Sequence, residues 1–329
     1  MPVTSVTTDP ASLTMTTVAD YPRPVRRVWD AYADPRQLEK FWGPSEWPAT
    51  FARHDMATDG WSHYWMTGPD GETSAGYWQF LTVDPLHGFE VRDGFANPDG
   101  TPNPEMPSMR MVFTFEETPD GTRVTDTTYF DSVEDLDTVL TMGMEEGTRS
   151  AMGQIDAVLD DLASFAAGRG TESRILSDTQ VRVSRIIRGD VEQVWRAHHE
   201  PELVQRWLLG PEGWTMPVCE VATNIGDTYR YEWEKTDGTE RFGFTGQLTE
   251  SQPPAREVTT EAMIGTDGPS TLNELTLTPL ADGTLLSVVI TYPGAEVRDV
   301  ILGTGMVDGM ETSYARLEEL ITGASVSGS

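Results

Sequence analysis

Apolar residues recur along the chain in two alternating rhythms. Val25, Val28, Trp29 and Tyr32 fall at i, i+3, i+4 and i+7, one face of a short helix. Pro24 suits its first turn, and Pro35 opens a second short helix. The period then drops to two. Strand-like runs are predicted at 50–55, 61–66, 76–83, 89–95, 109–116 and 123–130, after an earlier one at 13–20. Gly68-Pro69-Asp70-Gly71 and Pro119-Asp120-Gly121 are hairpin turn chemistry between them. The helical period returns in Met144, Ala151, Met152, Ile155, Val158, Leu159 and Leu162, which predict one closing helix.

The whole pattern then runs a second time. Val191, Val194, Trp195 and His198 repeat the first helix, Pro201 opens the second, and Trp29, Pro35 and Phe41 return as Trp195, Pro201 and Trp207. The offset is 166 residues (191 less 25) at each of these positions. Strands are predicted at 180–188, 216–222, 228–235, 240–249, 257–263, 271–278 and 284–292, with Asp237-Gly238 and Asp282-Gly283 at turns. Met306, Met310, Ser313, Leu317, Leu320 and Ile321 form the second closing stripe. A period this long is a duplicated domain and no solenoid. Antiparallel strands in that number must bury one face, and in each half the closing helix is the element available to cover it.

The fold expected is therefore α+β: two domains, each a curved antiparallel sheet wrapped around a long C-terminal helix, with two short helices after the first strand. Residues 1–165 form the first domain, with 1–11 read as a loose tail. Residues 166–178 are small and polar and read as a linker, and 179–329 form the second domain, ending in a loose tail at 323–329.

Four segments carry a family resemblance, and each occurs twice. They are Val25 to Trp29, Asp34-Pro35, Phe41 to Pro44 and Gly143-Met144-Glu145-Glu146-Gly147, then Val191 to Trp195, Glu200-Pro201, Trp207 to Pro211 and Gly305-Met306-Val307-Asp308-Gly309. Together they resemble the activator-of-Hsp90-ATPase-homologue-like branch of the START/Bet v 1 (SRPBCC) superfamily. The resemblance implies a helix-grip fold with a cavity between sheet and long helix. Relatives include carriers and enzymes of the polyketide cyclase/aromatase or hydrolase kind, and the family's name implies docking on an Hsp90-type chaperone. Fold alone does not choose among these.

Composition narrows the partners. With 53 acidic and 23 basic residues, the formal net charge is −30. Such a surface repels phosphate backbones and anionic lipid, so neither nucleic acid nor membrane is an expected partner. Cys219 is the single cysteine, the N-terminus lacks a secretory pattern, and a cytoplasmic setting is expected.

Candidate chemistry is sparse. The five histidines show neither finger nor H-x-x-x-H spacing, so no metal is expected. His54 and His63 lie on adjacent predicted strands and are catalytic candidates should they approach each other. Glu145, in the first turn of the closing helix, is a third, since a buried carboxyl there could act as acid or base. Gly303-Thr304-Gly305-Met306-Val307-Asp308-Gly309 only imitates a dinucleotide fingerprint: its last glycine falls late and no βαβ unit surrounds it. No cofactor is expected. The glycines are read as letting the helix start lie close to the sheet.

Ligand-binding candidates come from the alternation. Tyr229, Tyr231 and Trp233 share one strand face, with Arg230, Glu232 and Glu234 on the other. In the first half, Trp61 to Met66 carries rings on both faces, and either Tyr64 or Trp65 answers to Tyr231. Tyr64, Met111, Met144, Met306 and Met310 complete the expected lining, the methionines because they fill irregular pockets. The function expected is binding of a small hydrophobic or aromatic molecule between sheet and closing helix.

Overall fold

Pro24 sits at the N-cap of the first helix, and Asp34 ends that helix and caps the next, its carboxylate accepting from the backbone N–H of Arg36. In the second half Asp190 and Gln193 form a reciprocal capping box at the same place. The computed structural model describes residues 2–161, 170–210, 212–266 and 268–323. The chain divides into two compact units, Met1–Ala163 and Ser164–Ser329.

The first unit runs β1 (Val3–Asp9), β2 (Thr14–Tyr21), α1 (Val25–Ala33), α2 (Pro35–Leu38), β3 (Ala49–His54), β4 (Trp61–Thr67), β5 (Thr73–Asp84), β6 (Gly88–Phe95), β7 (Ser108–Thr118), β8 (Gly121–Tyr129), α3 (Val133–Thr141) and α4 (Met144–Asp160). Its strands form one antiparallel sheet in the order β1-β2-β8-β7-β6-β5-β4-β3. The second unit runs β9 (Glu172–Ile175), β10 (Gln180–Ile187), α5 (Val191–His199), α6 (Pro201–Trp207), β11 (Trp214–Glu220), β12 (Thr228–Lys235), β13 (Arg241–Gln252), β14 (Arg256–Met263), β15 (Thr271–Leu280), β16 (Gly283–Thr291), α7 (Ala295–Leu302) and α8 (Met306–Thr322). Its sheet order, β11-β12-β13-β14-β15-β16-β10-β9, is the same topology. This is the tandem helix-grip fold.

Three local expectations are corrected. Val3–Asp9 is no loose tail, because β1 pairs antiparallel with β2 and adds an eighth strand. Within the expected linker, Glu172–Ile175 pairs with β10 in the same way. The remainder of that linker before residue 170, Leu162, and the tail from 324 lie outside the described residues. Finally, each closing helix is preceded by a further short helix, α3 or α7, and begins after a left-handed glycine, Gly143 (φ +89°) or Gly305 (φ +82°). A Cβ at either glycine would meet nothing within 4 Å, so these residues serve a left-handed cap and no close approach to the sheet.

The grip is made by apolar faces as the pattern predicts. Ala151, Met152, Ile155, Val158 and Leu159 of α4 are buried, and Tyr21 of β2 donates its hydroxyl to the Met152 carbonyl at 3.0 Å. In the second unit Tyr314 and Leu317 of α8 pack with Ile187, Leu275, Leu286 and Trp207. Among the described residues no helix is long and apolar enough to cross a membrane.

Candidate functional site

β12 pairs with β13 so that Tyr229 faces Gly246, Tyr231 faces Phe244 and Trp233 faces Phe242. The three rings share the inner face, as the alternation predicts. On the outer face Glu232 is covered by Arg230 and Arg241, whose Nε atoms each donate to it at 2.6 Å.

A cavity of about 140 Å³ opens beside these rings. Its floor is sheet: Tyr229 and Tyr231, Leu248 of β13, and Glu257, Thr259 and Glu261 of β14. Its wall is helical: His198 and His199 at the end of α5, Val204 and Trp207 of α6, and Leu208 just beyond. Val221 and Ala222 close one side. This cavity is walled by α5 and α6, and no residue of α8 lines it.

The titratable groups are held in defined states. His199 donates from Nδ1 to the Trp195 carbonyl at 2.8 Å and from Nε2 to Glu257 Oε2 at 3.0 Å. Burial disfavours its charge, but the hydrogen bond and charge of Glu257 outweigh that and raise its pKa. Its ring stacks on Trp195 at 4.0 Å between centroids. His198 donates from Nδ1 to the Val194 carbonyl at 2.8 Å and packs against Trp207. Burial lowers its pKa, so it is a neutral imidazole whose remaining nitrogen, Nε2, is an acceptor. Glu261 accepts from the Tyr229 hydroxyl at 3.2 Å, and burial raises its pKa.

Register identifies the same places in the first unit. The β5–β6 ladder matches the β13–β14 ladder pair for pair, including its bulge. Trp78 then stands where Gly246 is, Phe80 where Leu248 is, and Phe89, Val91 and Asp93 where Glu257, Thr259 and Glu261 are. At the 166-residue offset Tyr32 answers to His198. These positions are packed with rings. Trp78, Phe80 and Phe89 lie 6.0 Å apart in each pairing, Tyr32 lies 6.0 Å from Phe89, and Trp78 is fully buried. Replacing one indole by glycine and two rings by His198 and Glu257 turns a packed core into a polar-lipped cavity.

The other candidates are placed as follows. Tyr64 and not Trp65 takes the inner face, pairing with Gly76 as Tyr231 pairs with Phe244; it is buried and stacks on Phe51 at 5.0 Å. His54 and His63 do not approach each other, because their strand positions point to opposite faces. His54 is buried, accepting from Ser62 Oγ at 2.8 Å and donating to the Tyr32 carbonyl at 3.0 Å, while His63 pairs with Arg53 and Tyr77 on the outer face. Glu145 is exposed at the start of α4, 3.4 Å from Arg149 one turn on. Met111 is buried in β7 and Met144 is partly exposed. Trp233 lies beyond the cavity lining, its indole N–H on the Leu208 carbonyl at 2.7 Å. Met306 and Met310 pack with Val181, Val183, Ile290 and Tyr292, and Met310 also packs on the cluster that contains the lining residue Trp207. Cys219 has its thiol pushed up to about 11 by burial, with Glu202 adding to it. Among the described residues no cluster of three or more His, Cys, Asp or Glu has the arrangement to hold a metal ion.

Sequence reasoning missed His198, His199, Glu257 and Glu261. Their signal is visible afterwards: Glu257, Thr259 and Glu261 alternate on one strand face, but a polar inner face reads as an outer one. It also missed a polar patch inside the first unit. Asp126 is buried with Oδ1 unpartnered, and the hydroxyls of Thr17 and Thr128 beside it on the ladder are likewise unpartnered. The second unit has Val288, Val183 and Ile290 at these rungs.

Comparison with known proteins follows the duplication. The family described as Activator of Hsp90 ATPase homolog 1-like protein matches twice, over residues 22–160 and 188–322. No curated protein matches. Among solved structures, protein Ms6760 from Mycobacterium smegmatis is 49% identical over 49% of this chain and 98% of its own, with a TM-score of 0.46. A protein from Arthrobacter aurescens is 43% identical over 48% of this chain and 92% of its own, with a TM-score of 0.47. DynU16, from the dynemicin biosynthetic locus, is 16% identical over 94% of this chain and 99% of its own, with a TM-score of 0.32.

Proposed function

The chain belongs, in each of its two units, to the Activator of Hsp90 ATPase homolog 1-like family, and from that premise we propose that it binds a small, largely apolar molecule in the cavity of the second unit. The observation that carries this reading is the aromatic-walled space of about 140 Å³ at ladder positions that the first unit packs with rings. A space of about 150 Å³ admits a benzene-sized molecule. Trp207, Tyr229 and Tyr231 offer flat faces, while His198 Nε2 and the Thr259 hydroxyl offer polar contacts that would orient a ligand.

Phenol is a suitable probe, followed by amide chemical shifts of the full chain. Shifts should concentrate on the lining residues and vanish when Ala222→Phe fills the space. Shifts spread over both units, or unchanged in A222F, would contradict the reading.

A second reading, docking on an Hsp90-type chaperone, has the family description behind it. One observation favours it: the equivalent helices α3 and α7 expose Val133 and Val300, and Met142 is exposed at the C-cap of α3. Binding of purified Hsp90 that is lost in Val133→Asp with Met142→Asp would support it. Unchanged binding in that variant would exclude this surface.

A further inference from the structure

Resting on the cavity reading, we propose that the second unit's cavity selects small organic cations, an ammonium group on a compact apolar body. Charge in the lining is one-sided. No lysine or arginine is part of it. His199 and Glu257 are bonded to each other, and their charges cancel wherever His199 is protonated. Burial favours the neutral form of His198 against the hydrogen bond to the Val194 carbonyl. Glu261 remains. It accepts from Tyr229 and Asn273, both uncharged, and among the described residues no basic side chain forms an ion pair with it. A cation entering the cavity therefore completes a carboxylate that the protein leaves uncompensated, whereas an anion meets that carboxylate with nothing to offset it.

The walls add to this. Three of the lining side chains are Trp207, Tyr229 and Tyr231, with Tyr229 and Tyr231 ring centroids 5.1 Å apart. Aromatic faces attract a cation within about 6 Å of the ring centroid, and several rings with a carboxylate are the arrangement that holds quaternary ammonium groups. The volume fits a trimethylammonium head on a short chain. Over the whole chain, a net charge of −30 also raises the local concentration of cations.

Acidification should weaken this binding. Burial already favours the protonated Glu261 carboxyl, so lowering the pH neutralises it and removes the attraction. His199, with its raised pKa, and then His198, with its lowered one, gain charge as the pH falls and repel the ligand. All three groups thus act in one direction or not at all.

The test is calorimetric titration of the full chain with choline and with its uncharged isostere, 3,3-dimethylbutan-1-ol, at pH 8. Choline should bind about tenfold more tightly or better, the scale of one cation–aromatic site with a desolvated partner. Glu261→Gln should bring the two ligands to within about threefold by weakening choline while leaving the isostere unchanged. Tyr231→Leu should weaken choline more than the isostere. If the isostere binds as tightly as choline and A222F abolishes both, the cation preference is wrong and the cavity reading survives. If neither these ligands nor phenol bind, the cavity reading itself fails and takes the inference with it.

Discussion

His198 and His199 are neighbours at the end of α5, yet burial prevails at His198 and the Glu257 carboxylate prevails at His199, so their charge preferences are opposite. Carbonyl and carboxylate acceptors surround His199, and a single carbonyl binds His198. In a proton NMR titration His199 should titrate above the ordinary imidazole value near 6.5 and His198 below it. Glu257→Gln should bring the His199 pKa down, because the carboxylate charge no longer offsets burial and only the Trp195 carbonyl bond still favours the cation. Since its folded pKa is raised, the stability His199 contributes is fully present below about pH 6.5 and fades as pH rises through that folded value. Asp93 has the same sign for a different reason, since its neutral form is the one favoured. Burial pushes its carboxyl up to about 7 against the donated hydrogen bonds of Trp78 and Tyr64. The folded state thus holds a proton that the unfolded chain has lost, and stability falls between about pH 4 and 7. One such proton is worth up to about 1.4 kcal/mol for each step of one in pH across that window. Asp93→Asn keeps an acceptor for both donors and should flatten the fall in melting temperature there. A slope unchanged in D93N would show that Asp93 titrates normally. None of these states could be read from sequence, because burial and partner geometry set them.

Strands were legible where one face was apolar. Tyr229, Tyr231 and Trp233 alternate cleanly, and β12 matches its expected span. β1 and β9 were not legible, since Val3–Asp9 is largely polar and Glu172–Ile175 is exposed throughout, with no inner face to pattern. Edge strands of this kind announce themselves through backbone pairing, which leaves no mark on side-chain choice. Deleting residues 2–10 should lower the melting temperature by several degrees, as loss of a paired strand costing a few kcal/mol would; an unchanged value would restore the loose-tail reading. α3 escapes the pattern because only Leu136 and Val139 of its nine residues are buried, too few to mark a helical face. Gly143→Ala should cost about 1–2 kcal/mol through its left-handed backbone alone. Gly153→Ala, inside α4 with open space at its Cβ, should instead stabilise by up to about 1 kcal/mol. Equal effects at both sites would contradict the cap. Inside the sheet, replacing Thr17, Asp126 and Thr128 by the second unit's Val, Val and Ile should raise first-unit stability by about 1–3 kcal/mol, because unpartnered buried polar atoms are removed. Urea unfolding of the full chain reads this directly.

Duplication is the feature of the whole molecule that the sequence displays most openly, since Trp29 and Trp195 head matching elements 166 residues apart. What the repeat conceals is divergence at corresponding rungs. One unit fills the space beside its short helices with Trp78, Phe80 and Phe89, and the other leaves it open between His198, Tyr229 and Glu261. Pattern reasoning sees both as inner-face positions and cannot tell a ring that packs from one that borders a cavity. The difference becomes visible only when the ladders are aligned by register, including the one-residue bulge in β5 and β13. The most direct measurement is a crystal structure of the full chain soaked with phenol. One molecule per chain is expected, bordered by Trp207, Tyr229 and Tyr231 of the second unit. Density between Trp78 and Phe89 of the first unit, or a second-unit cavity closed by its own side chains, would contradict it.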